Sequence, residues 1–225
     1  MIDALKNVSK IVIPEGEALS ISKKNGELLW AKLYKEELEY IESPYNGSAD
    51  KLAYIDTGIY PSETLPFEIS FSIPLYPAEY NFGNVFGARA GSGVQEYQMG
   101  QYVGGIIGVG TRNYLSFASS NMHHISFDGN KTAVIDGVAH TLNTSAITDQ
   151  NTIGTIVLFA IRNSGTVIQH EHARIYRCKF GNERDFIPVL DLNDVPCMYD
   201  KVTRKLFYNA GVGEFLYAKK QTVNS

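Results

Sequence analysis

The 225-residue sequence predicts an all-β chain: a two-sheet antiparallel β-sandwich preceded by a small N-terminal β-hairpin unit. Three observations carry this reading. Apolar and polar residues alternate at period two through many short runs, as in Phe67-Glu-Ile-Ser-Phe-Ser-Ile, where Phe67, Ile69, Phe71 and Ile73 share one face. Gly, Pro, Asn, Asp and Ser bound those runs at short intervals. No long stretch carries the apolar stripe of an amphipathic helix. About a dozen short strands of this kind bury their apolar faces most economically as two stacked sheets.

The elements follow in chain order. Lys10-Ile-Val-Ile-Pro reads as a short strand. Ala18-Leu-Ser-Ile-Ser, Lys23-Lys-Asn-Gly and Glu27-Leu-Leu-Trp-Ala-Lys then give strand, turn and strand, since Asn-Gly between apolar runs is a strong hairpin signal. Trp30, the single tryptophan, sits on the return strand. Residues 33–41 fit both a helical face and alternation, and the charges from Tyr34 to Glu37 read as a linker, which sets a unit at 1–35 and the sandwich at 36–225. Tyr40-Ile-Glu and Tyr54-Ile-Asp are strands joined by the polar loop Ser43 to Asp50. The strand at Phe67 ends at Pro74 and Pro77, because proline cannot donate to a central ladder. Tyr114-Leu-Ser-Phe-Ala, His124-Ile-Ser-Phe-Asp and Lys131-Thr-Ala-Val-Ile follow, and Asp136-Gly137 turns tightly into Val138-Ala-His-Thr-Leu. Thr155-Ile-Val-Leu-Phe-Ala-Ile is apolar on both parities, as expected of a central strand covered on both faces. Ala173 to Phe180 alternates again. The run from Met198 to Phe215 reads as a β-meander of three short apolar segments, with Asn209-Ala-Gly-Val-Gly supplying residues that tolerate positive φ.

Composition narrows the function classes. At 44% hydrophobic and 20% charged the chain is that of an ordered globular protein, long enough for one large domain with an appendage. A net charge of −4 with scattered basic residues argues against nucleic acid as a partner. No stretch approaches the roughly 18 apolar residues of a membrane span, and residues 1–10 contain no signal-peptide apolar core, so synthesis in the cytoplasm without Sec export is expected. Cys178 and Cys197 form no Cys-x-x-Cys pair and read as two buried thiols, with their bonding left open.

Few constellations point to chemistry. A retaining glycosidase on such a sandwich needs two carboxyl groups roughly 5–5.5 Å apart, for which a Glu-x-Asp-x-Glu strand would serve; no such run occurs, and no catalytic residue is assigned. His170-Glu171-His172 would point two imidazoles the same way on a strand but lacks a third ligand nearby, and His123-His124 point to opposite faces, so no metal site is assigned. Gly104-Gly-Ile-Ile-Gly-Val-Gly lacks the Lys-Ser/Thr and helix of a phosphate loop, and reads as a strand of small residues against which bulky neighbours or a ligand pack. Gly91-Ser-Gly93 reads as a hairpin tip. What remains is aromatic richness, 14 Tyr and 11 Phe, and Tyr suits stacking on sugars or a protein partner. The Tyr-dense, Gly-rich stretch from Tyr76 to Tyr114 is therefore the candidate ligand surface, through Tyr80, Arg89, Tyr97, Tyr102, Arg112 and Tyr114.

Four motifs taken together, Tyr54-Ile-Asp-Thr-Gly, Phe86-Gly-Ala-Arg, Arg184-Asp-Phe-Ile-Pro-Val and the Met198 to Phe215 run, resemble the laminin-G-like, concanavalin A-type lectin/glucanase sandwich of phage and prophage tail and baseplate proteins. The match covers roughly Leu38 to Ala218. The resemblance implies a concanavalin A-like jelly roll in which Tyr199, Asp200, Phe207, Tyr208, Asn209, Gly211, Gly213 and Phe215 form a structural motif. The N-terminal unit is similar to the segment of many tail-associated proteins in which Asn-Gly precedes Leu-Trp or Val-Trp, which implies an attachment element. Calcium is an ion such sandwiches hold through loop carboxylates; Asp128, Asp136, Asp191 and Asp194 are of the right type, but no Asp-x-Asp-x-Asp-Gly loop gathers them and each reads as a turn former, so no cofactor is assigned. The implied function is that of a non-enzymatic virion protein, working as a homo-oligomer among other tail proteins and touching a host-surface glycan or protein receptor. A purely structural assembly domain and a glycoside hydrolase on the same fold are the rival readings.

Overall fold

The computed structural model describes residues 8–12, 20–23, 28–31, 33–74, 83–101, 104–117 and 119–221. Near the N-terminus, β1 (Val8–Val12), β2 (Ser20–Lys23) and β3 (Leu28–Ala31) pair antiparallel into a three-stranded sheet. The Asn25-Gly26 turn expected between β2 and β3 lies outside the described residues.

The larger part of the chain is a two-sheet β-sandwich. The first sheet has ten strands: β4 (Tyr34–Glu42), β6 (Phe67–Ser72), β10 (His123–Phe127), β11 (Thr132–Ile135), β12 (Val138–Thr141), β16 (Arg174–Phe180), β17 (Arg184–Asp191), β18 (Pro196–Asp200), β19 (Lys205–Phe207) and β20 (Leu216–Lys219). They run in the order β12-β11-β10-β6-β16-β4-β17-β18-β19, with β20 paired on β4. The second sheet has seven strands: β5 (Ile55–Asp56), β7 (Asn84–Arg89), β8 (Glu96–Gly100), β9 (Ile106–Tyr114), β13 (Val157–Leu158), β14 (Ile161–Asn163) and β15 (Thr166–Ile168). In that sheet β7 pairs with β8, β13 and β14, and its pairing with β14 is parallel. One short helix, α1 (Gln150–Ile153), is capped by the Asp149 carboxylate, which accepts from the Thr152 N–H at 3.2 Å.

Alternation explains which faces meet. On β6, Phe67, Ile69 and Phe71 are buried while Glu68 is exposed. Register places Phe127 of β10 and Phe180 of β16 on either side of Phe67. From the facing sheet Phe86 of β7 reaches this row, its ring centroid 5.0 Å from Phe67 and 5.3 Å from Phe180, both edge-on. Such contacts add roughly 0.5–1.5 kcal/mol per pair beyond area burial. Ile187, Val189 and Cys197 form a smaller cluster with Tyr34, Tyr199 and Leu206. Cys178 and Cys197 are free, buried thiols in separate clusters.

Several expectations hold locally. Asp136 and Gly137 have φ of 50° and 86°, the two positive values a two-residue hairpin between β11 and β12 requires. The glycine-rich run at residues 104–110 leads into and begins β9, where Gly108 and Gly110 stand opposite Gln98 and Glu96 of β8. Three expectations are corrected. Tyr34 to Glu37 is the start of β4 and not a linker: Glu36 and Glu37 pair with Leu190 and Val189 of β17, while their side chains turn outward to Lys219 and Lys220. Of the run Thr155 to Ile161, Ile156 to Ile161 is buried as a both-faces-covered run should be, yet it breaks into β13 and β14. At the break Phe159 adopts φ 68°, held by its N–H donating to Val85 O at 2.6 Å and its carbonyl accepting from Glu171 N at 2.9 Å. The C-terminal run is a hairpin, β18-β19, followed by β20, which leaves its neighbour and pairs with β4; it is not a three-stranded meander.

The C-terminal motif residues tie loops together. Asp200, fully buried, accepts from the Thr203 hydroxyl and from the backbone N–H groups of Asp185, Val202 and Thr203, the latter at 2.9–3.1 Å; against the opposing cost of burial, the hydroxyl bond first and then the backbone bonds hold its carboxyl below the usual range. Asn209 Oδ1 accepts from Tyr54 N and Gly211 N, and its Nδ2 donates to Gly213 O. A side chain on Gly211 would overlap the Leu52 carbonyl. The Tyr208 hydroxyl donates to Asp191 at 3.0 Å, and Phe215 packs on Phe159.

Candidate functional site

The candidate stretch divides sharply. Tyr80 and Tyr102 lie outside the described residues. Tyr97 is a correction: it is fully buried, its hydroxyl donates to Leu65 O at 2.7 Å, and its ring sits about 6 Å from those of Phe67 and Phe86. Its place on β8 opposite Ala88 and Val109 points it into the core, where it cannot stack on a ligand. Tyr114 ends β9 and is 58% exposed. Arg89 and Arg112 come together.

What joins them is the opposite face of β7-β8-β9. Cross-strand partners share a face, so the register Gly87–Gln98–Gly108, with Glu96 opposite Gly110, puts Gln98 and Glu96 on a floor of glycine backbone. A Cβ at Gly87 would lie 2.7 Å from the Gln98 Cβ, and one at Gly108 would lie 3.0 Å from both Gln98 Cγ and Glu96 Cβ. The glycines are therefore what lets two polar side chains lie flat within the sheet.

Glu96 is fully buried and saturated. Its Oε2 accepts from Arg112 Nε at 2.8 Å and Gln98 Nε2 at 2.7 Å; its Oε1 accepts from Gly93 N at 2.6 Å and from Arg112 Nη2. Hydrogen bonding to Glu96 raises the pKa of Arg112. Arg89, 6% exposed, donates from Nε to Asn163 Oδ1 at 3.1 Å, and its Nη1 stands 3.8 Å from Glu96 Oε1, beyond a hydrogen bond. Burial lowers the Arg89 pKa, with Glu96 opposing and Arg112 reinforcing the effect, yet an arginine stays charged. Two guanidinium groups against one carboxylate leave one net positive charge.

Beside this network is a cavity of about 160 Å³, lined by Asn84, Arg89, Gln98, Ile106, Arg112 and Gln169, with exposed Ser92 at its rim. The Gln98 Oε1, buried with its residue, has no hydrogen-bond partner. A buried acceptor left unpaired costs about 1–3 kcal/mol, so such atoms call for an explanation. A larger, open depression of about 740 Å³ crosses the outer surface near Glu68, Ser126, Thr132 and Lys179. In its lining, Asp128 accepts from the backbone N–H groups of Asn130 and Thr132, as a turn former does.

Two residues beyond Gln169, which lines the cavity, is a second buried acid. Glu171 is 2% exposed, accepts from Gln101 Nε2 at 3.2 Å, and has no partner for Oε2. Burial pushes its pKa up to about 8, against a hydrogen bond from the His172 backbone, and the missing side chain of Gly83 makes the room it occupies. The flanking histidines have different partners: His170 packs against the rings of Tyr45 and Tyr54, and His172 Nε2 bonds Glu42 at 2.7 Å. Residues 169–173 are not a strand, so His170 and His172 do not share a strand face. Asp191 and Asp194 sit in the β17-β18 turn, where Asp191 accepts from Asn193 N and Val195 N. Among the described residues no three His, Cys, Asp or Glu side chains gather as a metal site.

One constellation escaped the sequence reading. Ser119 Oγ lies 2.7 Å from His123 Nε2, and His123 Nδ1 lies 2.7 Å from Asp136 Oδ2. Asp136 also accepts from the His124 N–H, and its carboxyl is held below the usual range by these two bonds against the cost of burial. Spacings of 4 and 13 residues from His123 match no local motif, so only the β10-β11 register could have revealed it.

Comparison of the chain with protein-family models finds no match, and neither does comparison with curated proteins. Among the described residues no helix is long and apolar enough to cross a membrane.

Proposed function

We propose that this chain is a non-enzymatic phage or prophage tail or baseplate component whose sandwich, of the concanavalin A type, contacts a glycan or receptor on the host surface. The observation that carries the reading is the polar cavity on the exterior side of β7-β8-β9, where a buried Gln98 acceptor is unpaired beside a net positive charge. Support also comes from the four motifs that resemble tail-protein sandwiches. In such a role, weak recognition is multiplied by copies in a symmetric assembly, since effective concentration raises avidity without new contacts. The N-terminal three-stranded sheet would be the attachment element to neighbouring tail proteins.

The test is binding of purified protein to intact host cells, together with competition against virion adsorption. Binding and delayed adsorption are expected; absence of both would end the reading. Mass spectrometry of purified particles checks the virion location. The rival, a purely structural assembly domain, would be favoured by a trimer or hexamer in light scattering that buries the Arg89–Arg112 face.

A further inference from the structure

We propose that the cavity between Arg89, Arg112 and Gln98 takes the carboxylate-bearing unit of an acidic saccharide of the uronic-acid type. The inference deepens the host-contact reading and rests on it only for the ligand being a glycan; the chemistry comes from the cavity. The Glu96 oxygens are fully used, so that residue pins Arg112 and cancels one of the two positive charges. The charge left over belongs to Arg89, which makes a single hydrogen bond, through Nε, of the five its guanidinium can donate. A carboxylate matches that surplus in sign and in its planar, two-oxygen geometry. A neutral sugar would leave a buried cation uncompensated, whereas a dianion would exceed it.

Gln98 supplies the second half of the specification. Its amide orientation is fixed because Glu96 can only accept, which forces Nε2 toward Glu96 and Oε1 into the unpartnered position. That atom wants a donor, and a sugar hydroxyl is one. Size sets the third limit: 160 Å³ is about five times the roughly 30 Å³ that a water occupies in the liquid, enough for one sugar unit and too little for a peptide. Gly108 and Gly87 carry no side chain, which leaves the room that Gln98 takes against the sheet.

The experiment is titration of the full chain with D-glucuronate, D-glucose and polygalacturonate, read by calorimetry and by the side-chain amide signals of Gln98 in 15N-labelled protein. Glucuronate is expected to bind with millimolar affinity, at least tenfold tighter than glucose, and to shift the Gln98 amide. Gln98→Ala is expected to weaken it at least fivefold while keeping a cooperative melting transition, lowered by the loss of the bond to Glu96; should that variant not fold, the amide shift in the wild type carries the decision. Tighter binding of the polymer identifies a polysaccharide source, and equal affinity per unit identifies the free sugar acid. Glucuronate that binds no tighter than glucose, or leaves the Gln98 amide in place, overturns the proposal. Cell binding that persists under saturating glucuronate overturns it too while sparing the host-contact reading, whereas glucuronate binding without cell binding does the reverse.

Discussion

Buried acids decide the residue scale. Glu171 is folded into a site where it stays protonated up to about pH 8, while in the unfolded chain it ionises near the ordinary glutamate value of 4.5. Between those values the folded state binds the extra proton, so stability must fall as pH rises, by about 1.4 kcal/mol per pH unit at most, and level off above the folded pKa. His170 acts on the acid side: burial lowers its pKa, so stability is lost as pH falls below 6.5. Comparing the wild type with Glu171→Gln cancels the histidine. The variant is expected to gain melting temperature at pH 8 relative to wild type and little at pH 4.5, and equal gains at both would show that the acid is not buried as described. The Ser119–His123–Asp136 chain has the order of a nucleophile, base and orienting acid. The Asn121 N–H also donates to Ser119 Oγ at 3.2 Å, and under the non-enzymatic reading proposed above the chain is assigned to fastening the loop before β10. A fluorophosphonate probe is expected to leave Ser119 unlabelled, with His123→Ala lowering stability by about 1–2 kcal/mol; labelling abolished in Ser119→Ala would reverse the assignment.

At the scale of elements, the fold was legible where its cause is local. Period two at Phe67–Ser72 and the Asp136-Gly137 turn need only neighbouring residues to specify them. The charged start of β4 read as a linker because its strand character comes from β17, about 150 residues away in the chain. The break at Phe159 is set by hydrogen bonds to Val85 and Glu171, which no local pattern encodes. The site divides the same way. Arg89 and Arg112 stood out by type, and the glycine run of β9 signalled close approach, but Glu96 and Gln98 look in sequence like ordinary outward-facing strand residues. Tyr97 was misplaced because aromatic content does not say which face a side chain takes. The loop between β19 and β20 offers a direct check on element packing: Gly211→Ala forces a methyl group against the Leu52 carbonyl and is expected to cost about 1–3 kcal/mol, or roughly 2–10 °C in melting temperature. A neutral effect would mean that the Leu52–Tyr54 loop does not dock there.

For the whole molecule, the two sheets do different work. The ten-stranded sheet supplies the aromatic row that the sandwich closes over, and it also receives the C-terminal strand. The seven-stranded sheet turns Phe86 and Tyr97 inward to that row and, on the same strands, turns Gln98 and Glu96 outward to the cavity. Core and candidate site are thus alternate residues of β7 and β8. A face held this way suits recognition repeated across copies of the chain. The measurement that tests this most directly is adhesion of wild type and Gln98→Ala to intact host cells, side by side, with melting curves confirming that both fold. Wild type is expected to bind and the variant to lose at least most of that binding; equal adhesion by the two proteins would contradict a role for the cavity in touching the host.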